Sequence, residues 1–473
     1  MGQMQNEWAE LFRFRRTIEN HFGKGNYKIE FVDHHLSHAA SAFLSSPFER
    51  AAVLTVDGAG EADTTVLWIG DGTSIKKLES IRLPYSLGQF YSAVTAFLGF
   101  KVQSDEYKVM GLAAYGEPVY ADYLGKNVIK LLSNGLFKID PYFVDYHLAR
   151  DGVFCKTAID VFGEPRKKGE EVTKRHTDIA ASAQAVVEDA IFHVVNHLCK
   201  ITKLDKLCMA GGVAFNCVAN GKLFKKTSVK DVFIQPAAGD AGCALGSALY
   251  LEHKNTGRER QINLNNNAYL GPSFSSSDAE KALKDMNIPY EKLPEDILFS
   301  RTAGELADGK LVCWFQGKME WGPRALGARS LLADPRRAEM KDIINEKVKQ
   351  REQFRPFAPS ILSEHAHEIF EYYHNSPFMI FTFPVKNSMA DKIPAVVHID
   401  KTARPQAVFK ETNPGYWNLI NEFYKITGIP LLLNTSFNVQ EPIVCTPMDA
   451  ITTFLNTKVD YLILEDCMAA LPT

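Results

Sequence analysis

The sequence lacks three features that would each have assigned it to a known class of protein. Its eight cysteines form no Cys-x-x-Cys pair, so a zinc ribbon or a redox dithiol is not expected. No apolar run reaches the roughly 18 residues of a membrane span, and residues 1–16 contain no apolar signal-peptide region. The formal net charge is only −3, which gives no overall attraction to nucleic acid or to an anionic membrane. We therefore expect a cytoplasmic protein with neither kind of partner.

The length and the residue pattern predict two domains. A chain of 473 residues exceeds what one hydrophobic core usually serves. Between residues 30 and 254, short apolar runs alternate with amphipathic ones, which is typical of an α/β fold. The stretch 255–283 is rich in Asn, Ser and Gly and lacks a sustained period. We place the boundary there, near residue 268, so that the predicted domains are 1–267 and 268–473.

A pair of histidines indicates a metal site in the first domain. His34 and His38 are four residues apart in HHLSHAASAF, so on a helix both rings would lie on one face and could share one metal ion. The zinc-protease signature is excluded, because His35 occupies the position of its glutamate. The alternative is a structural or exposed pair, and a third ligand would favour the metal.

Three strand ends carry glycine or aspartate in a pattern that favours phosphate or metal binding. Gly211-Gly212 and Gly239-Asp240 each separate an apolar strand from a helix, and such turns present free N–H groups to phosphate, although ordinary tight turns look the same. A metal, a ribose or a backbone cap could satisfy Asp240. Asp57, in TVDGAGE, resembles the carboxylate that actin-like ATPases place near a nucleotide metal.

The second domain contains a basic segment that predicts an anion site. Between residues 324 and 355 there are nine Lys or Arg against five Asp or Glu. The planar guanidinium group of arginine binds phosphate or carboxylate through two hydrogen bonds. The glycines and the proline of WGPRALGARS fix the conformation of the loop that carries these guanidinium groups. A solvated basic face is the alternative. Ser436 and Asn438 follow the apolar strand PLLLN and could donate to bound oxygens, and HIDKTARPQ adds a second polar cluster of His398, Asp400 and Arg404.

These motifs resemble those of the O-carbamoyltransferases of antibiotic and nodulation-factor biosynthesis. The resemblance extends from Val32 to the C-terminus. It is carried by HHLSHAASAF, LTVDGAGE, SDEYKVMGLAAYGEP, MAGGVAFN, GDAGCALG, MEWGPRALGARSLLADPR, REQFRPFAPS, DKTARPQ and LNTSFN. It implies an α/β fold with an actin-like ATPase (Kae-type) domain followed by an α+β YrdC-like domain.

The resemblance also implies a reaction and the residues that carry it. The YrdC-like domain would convert carbamoyl phosphate and ATP, with magnesium, into carbamoyl adenylate, and the Kae-like domain would transfer the carbamoyl group to a hydroxyl of a secondary metabolite or glycolipid. The implied ligands of iron(II) are His34, His38 and Asp240, with His38 also catalytic. The implied catalytic residues of the second domain are Lys349 and Arg351. The further residues expected to bind the nucleotide or its phosphates are Ser436, Asn438, Arg324, Arg329, Gly211, Gly212, Asp57 and Lys108. By itself, the charged run around Lys108 is more typical of a loop with a solvated charge cluster.

One departure from the family pattern qualifies this expectation. Family members ordinarily begin with a strand and a turn carrying a His-Asp-Ser run, roughly a hundred residues before the HHLSHA motif, which here starts at residue 34. We therefore expect the actin-like domain to lack its first strands. The alternative function is a truncated or split-subunit homologue, with a separately encoded N-terminal fragment, that binds nucleotide without completing transfer.

Overall fold

The computed structural model describes residues 13–143, 145, 149–261, 264 and 266–471. The first twelve residues of the N-terminal stretch, and residues 262, 263 and 265 of the predicted linker, lie outside this description. Within it, none of the helices has both the length and the apolar character needed to cross a membrane. No strand precedes residue 50 in the described part of the chain.

The first half alternates helices and strands around one sheet. A helical stretch at residues 13–22 comes first. The elements that follow are α1 (His34–Phe43), β1 (Arg50–Gly60), β2 (Asp63–Asp71), β3 (Ser74–Arg82), α2 (Leu87–Phe97), α3 (Glu106–Ala113), α4 (Ala121–Asn127), β4 (Ile129–Leu131), β5 (Phe137–Ile139), α5 (Lys156–Phe162), α6 (Lys174–Thr202), β6 (Lys206–Ala210), a 3₁₀ turn (Gly212–Phe215), α7 (Cys217–Lys226), β7 (Asp231–Ile234) and α8 (Ala241–Thr256).

The second half contains shorter elements around a larger sheet. They are α9 (Ser276–Asp285), β8 (Glu291–Lys292), α10 (Glu295–Ala307), β9 (Val312–Phe315), β10 (Arg329–Ala333), α11 (Met340–Ile343), a π-helical turn (Ile344–Lys349), β11 (Ala358–Leu362), a 3₁₀ turn (Ser363–His365), α12 (Ala366–Ile369), β12 (Phe383–Pro384), α13 (Asn387–Ala390), a 3₁₀ turn (Pro394–Val396), β13 (Thr402–Ala403), β14 (Gln406–Val408), α14 (Pro414–Thr427), β15 (Leu431–Ser436), α15 (Pro447–Leu455), β16 (Tyr461–Leu464) and β17 (Cys467–Ala470).

The first sheet has the strand order β3-β2-β1-β6-β7. Strands β1, β2 and β3 form an antiparallel meander, and β6 and β7 continue the sheet in parallel from β1. This mixed order is that of an actin-like subdomain, so the α/β class expected from the sequence is confirmed. Because β1, β6 and β7 are parallel, their carboxyl ends meet at one edge of the sheet, which is where ligands bind in α/β folds.

Helix α1 is held close to α8 at that same edge. The two helices pack directly on each other, and α1 also contacts β1 and β6. Their close approach requires Gly246, since a Cβ atom there would lie 1.8 Å from the carbonyl oxygen of Ser37. This contact brings the histidines of α1 next to the start of α8.

The second sheet has the order β14-β11-β15-β10-β9-β16-β17-β8 and mixes parallel and antiparallel pairs. Strand β15 lies between β10 and β11 and is fully buried over Leu431–Asn434. The two sheets draw their strands from separate stretches, ending at residue 234 and beginning at residue 291. The boundary near residue 268 lies between them and stays a prediction.

Candidate active site

Four side chains converge at the carboxyl edge of the first sheet. The two histidine Nε2 atoms of α1, from His34 and His38, lie 3.1 Å apart. His38 Nε2 is 2.9 Å from Asp57 Oδ2 and 3.6 Å from Asp240 Oδ1. The corresponding distances from His34 Nε2 are 3.6 and 3.8 Å. All four donor atoms therefore lie within 4.8 Å of one another.

The positions of the two aspartates follow from the backbone around them. Asp57 comes where β1 leaves its pairing with β2, and its carboxylate accepts hydrogen bonds from the N–H groups of Gly58 (2.6 Å) and Gly212 (3.1 Å). Asp240 immediately precedes α8 and accepts no helix-capping bond, so its carboxylate stays free to face the histidines. The two carboxylates are thus supplied by different strand ends to one point.

The electrostatics of this cluster are those of a site that holds positive charge. Burial alone would lower the pKa of His38, but the neighbouring carboxylates of Asp240 and Asp57 outweigh it and raise that pKa to about 11. Burial opposes ionisation of Asp57, yet the neighbouring rings of His34 and His38 hold its pKa well below the usual range. The ring of His38 also lowers the pKa of Asp240. A divalent cation could take the place of the protons.

The donor set fits a first-row divalent metal. Two imidazoles and two carboxylates are the ligands that such metals prefer, and two ring nitrogens facing each other at 3.1 Å would compete for a single proton in the absence of a cation. The neighbouring His35 is used otherwise, since its ring nitrogens bond to Thr55 Oγ1 and to the carbonyl oxygen of Asp63. Burial lowers the pKa of His35 to about 4. His35 therefore fixes the helix and does not join the cluster.

A second polar centre lies where β15 ends. The ammonium group of Lys349 donates to the carbonyl oxygens of Ser436 (2.5 Å) and Asn438 (2.7 Å) and to Asn438 Oδ1 (2.8 Å). Ser436 Oγ donates in turn to Asn438 Oδ1 at 2.7 Å. Burial, and then the charge of Arg351, lower the pKa of Lys349 well below its ordinary value. The structure thus brings together four of the residues predicted for the second domain.

Several arginines gather around this centre without enough negative charge to balance them. Burial, and then the neighbouring Arg355, lower the pKa of Arg351 to about 9. Burial and Arg404 lower that of Arg324 to about 9 as well. The Nε atoms of Arg324 and Arg404 are buried and have no hydrogen-bond partner in the described part of the chain. Buried guanidinium nitrogens without a hydrogen-bond partner are costly, and an anionic ligand would relieve that cost.

One cavity of about 1320 Å³ connects the two centres. Its lining from the first half includes Asp57 and Asp240 of the histidine cluster, together with Gly212. Its lining from the second half includes the arginines and the end of β15. Those residues are Arg324, Arg351, Arg355, His398, Asp400, Arg404, Asn434, Ser436 and Asn438. The two centres are therefore parts of one continuous site.

Comparison with known proteins identifies the family of the chain. A family profile described as carbamoyltransferase N-terminus matches residues 16–249, and one described as carbamoyltransferase C-terminus matches residues 303–470. The chain belongs to the carbamoyltransferase family. It is an enzyme of carbamoyl transfer, as the resemblance of the motifs predicts.

Three relatives show how far the likeness to this carbamoyltransferase extends. An uncharacterized protein of Synechocystis sp. is 44% identical over 93% of this chain and 76% of its own length. The nodulation protein NolNO of Sinorhizobium fredii is 45% identical over 92% of this chain and 63% of its own. The nodulation protein NolO of Bradyrhizobium diazoefficiens is 43% identical over 92% of this chain and 78% of its own.

Six predicted residues of the carbamoyltransferase do not line the cavity. Three of them, His34, His38 and Lys349, contact lining residues of the two centres. The other three are Arg329, Lys108 and Gly211. Arg329 is buried in β10, where its guanidinium donates to backbone carbonyl oxygens such as that of Gln316 and stacks on the ring of Phe315 at 3.5 Å. Lys108 is paired with Glu352 (2.9 Å) and Asp105 (3.2 Å). Gly211 lies behind the surface, against β1. Arg329 and Lys108 therefore have structural partners, and no signal in their sequence context distinguishes them from Arg324, Arg351 and Lys349 of the second centre.

The sequence motifs do not predict the roles of three other residues that complete the site. Arg355 stacks on Tyr107 at 4.7 Å and thereby joins the two halves of the carbamoyltransferase. Asn345 accepts from Arg351 Nε at 2.7 Å and so aims its guanidinium. Asp57 was expected beside a nucleotide metal, and the structure brings it into the histidine cluster as a fourth candidate ligand. Because β1, β6 and β7 are parallel, their carboxyl ends share one edge and bring Asp57 toward Asp240, but no local pattern brings the histidines of α1 to that edge.

Proposed function

We propose that this carbamoyltransferase activates carbamoyl phosphate with ATP in its second half and transfers the carbamoyl group to a hydroxyl acceptor in its first half. Mass balance requires water in the activation. Water cleaves carbamoyl phosphate to carbamate and inorganic phosphate, and a carbamate oxygen then attacks the α-phosphorus of ATP. Pyrophosphate leaves, and the product is carbamoyl adenylate. The acceptor oxygen attacks the carbamoyl carbon of this anhydride, AMP departs, and the hydroxyl proton is released.

The single observation that carries this proposal is the shared cavity. Its arginine-rich end suits phosphate groups, and its other end reaches the histidine cluster through Asp57 and Asp240. A reactive anhydride made at one end could reach the other without entering bulk solvent, which would protect it from hydrolysis. An enzyme that only bound nucleotide would not need the second centre.

In the activation half, the cations would stabilise the departing pyrophosphate. The cavity is lined by Arg324, Arg351 and Arg404. Because little negative charge lies near these arginines, their positive charge is available to a bound anion. Lys349, which anchors Ser436 and Asn438, holds the end of β15 in place for the same purpose. Removing one such donor typically costs a factor of about 10² to 10³ in kcat.

In the transfer half, His34, His38, Asp57 and Asp240 would hold a divalent metal, for which the family resemblance suggests iron(II). Bound there, it would polarise a carbamoyl carbonyl or acidify an acceptor hydroxyl. Asp57 is held by two backbone N–H groups, so the cluster is pre-organised before any ligand arrives. The lining that the first half contributes to the cavity also includes Glu188 and Gln184, whose oxygens could accept hydrogen bonds from a hydroxylated acceptor.

Isotope exchange between pyrophosphate and ATP tests the activation step. Exchange that depends on carbamoyl phosphate is expected in the unaltered protein, and its absence would refute the proposal. Arg351→Ala should abolish it. Arg337→Ala is the matched control, because Arg337 belongs to the same basic segment but does not line the cavity. Since surface substitutions usually have small effects, the exchange rate of this variant should stay within about twofold of that of the unaltered protein.

Metal analysis tests the division between the two halves. His38→Ala should bind no stoichiometric divalent metal while carbamoyl-phosphate-dependent exchange continues. His253→Ala, on the distal part of α8, serves as the histidine control and should retain the metal. Loss of exchange together with the metal in His38→Ala would contradict the assignment of separate roles to the two centres.

A further inference from the structure

The side chain of Asn434 has an unused acceptor next to the cavity. Asn434 lies in β15, is 1% exposed, and lines the cavity. Its amide nitrogen donates to the carbonyl oxygen of Ala325 (3.1 Å), to Ser360 Oγ (2.8 Å) and to Gln406 Oε1 (3.3 Å). Its Oδ1 atom is buried and has no hydrogen-bond partner among the residues that the structure describes.

The orientation of this amide is fixed by its neighbours. The carbonyl oxygen of Ala325 can only accept a hydrogen bond, so the Asn434 nitrogen must face it. Gln406 Nε2 donates to the carbonyl oxygen of Leu326 at 2.6 Å, so Gln406 presents its own oxygen to Asn434. A flipped amide would set oxygen against oxygen at both contacts. Oδ1 is therefore the atom left free, and it requires a donor from a ligand.

Asn434 is also close to the proposed activation centre. Residues two apart on a strand share one face of the sheet, roughly 7 Å apart, so Asn434 and Ser436 lie on the same face. Ser436 contacts Lys349 through its carbonyl oxygen and its hydroxyl. The backbone on the other side of Asn434 belongs to Ala325, the residue after Arg324. Asn434 thus lies on the strand face that carries Ser436 and beside the segment that carries Arg324.

We propose that Asn434 Oδ1 accepts a hydrogen bond from the carbamoyl amino group and so selects carbamoyl phosphate over acetyl phosphate. This inference rests on the proposed function, in which carbamoyl phosphate is the substrate. The phosphate and carbonyl oxygens of that molecule are acceptors, and its amino group is the one strong donor. Acetyl phosphate has a methyl group in its place, which would leave Oδ1 desolvated and unpaired. Such a loss disfavours the analogue by roughly 10- to 100-fold.

The other donors that the proposed substrates contain are the adenine amino group and the hydroxyls of the ribose and of the acceptor. The position of Asn434 beside Ser436 favours the carbamoyl group, because a base or a sugar would have to lie where the anionic groups are bound. The test therefore also measures whether Asn434→Ala changes the preference for ATP over a nucleotide without the amino group. Inosine triphosphate has no such amino group and is the appropriate probe.

The test compares rates of pyrophosphate–ATP exchange with carbamoyl phosphate and with acetyl phosphate. The unaltered protein should prefer carbamoyl phosphate in kcat/KM by roughly 10-fold or more. Asn434→Ala should lose most of that ratio, because the rate with carbamoyl phosphate falls more than the rate with acetyl phosphate. Ser360→Ala is the control: it removes a partner of the amide nitrogen, so it should affect both substrates equally and leave the ratio unchanged.

Four results would overturn the inference. Equal use of both acyl phosphates by the unaltered protein would do so without any variant, even if Asn434→Ala failed to fold. A ratio unchanged in Asn434→Ala would assign the residue a structural role only. A change in the preference for ATP over inosine triphosphate, with the acyl-phosphate ratio intact, would assign Oδ1 to the base. Absence of exchange in the unaltered protein would refute the proposed function itself and the inference with it.

Discussion

Glu320→Ala should destabilise the loop that carries Arg324 into the cavity. Glu320 is buried, and its Oε1 atom accepts hydrogen bonds from the backbone N–H groups of Leu326 (2.7 Å), Ala328 (2.6 Å) and Arg329 (3.1 Å). One carboxylate oxygen thus closes the turn before β10. With alanine there, three buried donors would lose their acceptor.

The size of the expected loss of stability follows from those three backbone N–H groups. Each unsatisfied buried N–H group costs about 1–3 kcal/mol, and partial relaxation keeps the sum toward the lower end, so we expect a loss of about 3–6 kcal/mol of unfolding free energy. Glu320→Gln keeps a carbonyl oxygen in the same place and should lose less than about 2 kcal/mol. The Gln variant should therefore retain the fold of the loop.

The pH dependence gives the same prediction a second readout. Burial raises the pKa of Glu320, so the folded protein holds the proton more tightly than the unfolded chain does. The contribution of protonated Glu320 to the free energy of unfolding is fully present below the pKa that this group has in the unfolded chain. It declines as the pH rises toward the pKa of the group in the folded protein. Glu320→Gln cannot ionise, so the unaltered protein should lose stability relative to this variant as the pH increases through that interval.

Urea unfolding followed by tryptophan fluorescence measures both effects. Glu411→Ala removes an exposed glutamate and should change stability by less than about 0.5 kcal/mol. A loss below about 1 kcal/mol in Glu320→Ala, the net worth of a single hydrogen bond, would refute the view that this carboxylate organises the loop. Equal losses in the Ala and Gln variants would show that the acceptor oxygen is not what matters.

Three further predictions concern the two centres. Lys349→Met should lower carbamoyl-phosphate-dependent exchange by about 10²-fold or more, and a rate within threefold of the unaltered protein would contradict the proposed role. Gly211→Ala should lower the free energy of unfolding by at least about 3 kcal/mol, because the φ of Gly211 is 98° and a Cβ atom there would lie 2.1 Å from the carbonyl oxygen of Val56. Thermal unfolding measures this loss, and unchanged thermal stability would contradict the prediction. Since neighbouring carboxylates raise the pKa of His38, metal binding near neutral pH should displace its proton. Metal affinity measured by Co²⁺ titration should therefore fall by up to about tenfold for each unit of decreasing pH, and a pH-independent affinity would contradict release of a proton from His38 on binding.

Local spacing was sufficient to predict part of the site. The four-residue interval between His34 and His38 places both rings on one helical face, and the structure confirms that α1 is a helix with the two Nε2 atoms in contact. Strand β15 and the turn after it were also predictable from the apolar run and its polar end. These features depend on periodicity and on turn residues within a few positions, which a single sequence displays directly.

Other parts of the site depend on contacts between distant residues, and sequence alone could not predict them. Arg324 and Arg329 occur in one motif, yet only Arg324 reaches the cavity. Arg329 is the first residue of β10, and pairing with β9 and β15 turns it inward over Phe315. Asp57 joins the histidines because α1 packs on β1. No local pattern encodes either outcome.

Lys108 shows how a residue outside the cavity can still serve the anion site. Glu352 lies between Arg351 and Arg355 in sequence, and its carboxylate is 3.8 Å from the guanidinium of Arg355. Lys108, from α3 in the other half, binds the same carboxylate at 2.9 Å, and this pairing helps lower the pKa of Glu352. Because the lysine shares this negative charge, less of it is available to neutralise the arginines. The ion pair also fixes α3 against the arginine segment, so the charge of the anion site and the alignment of the two halves depend on the same contact.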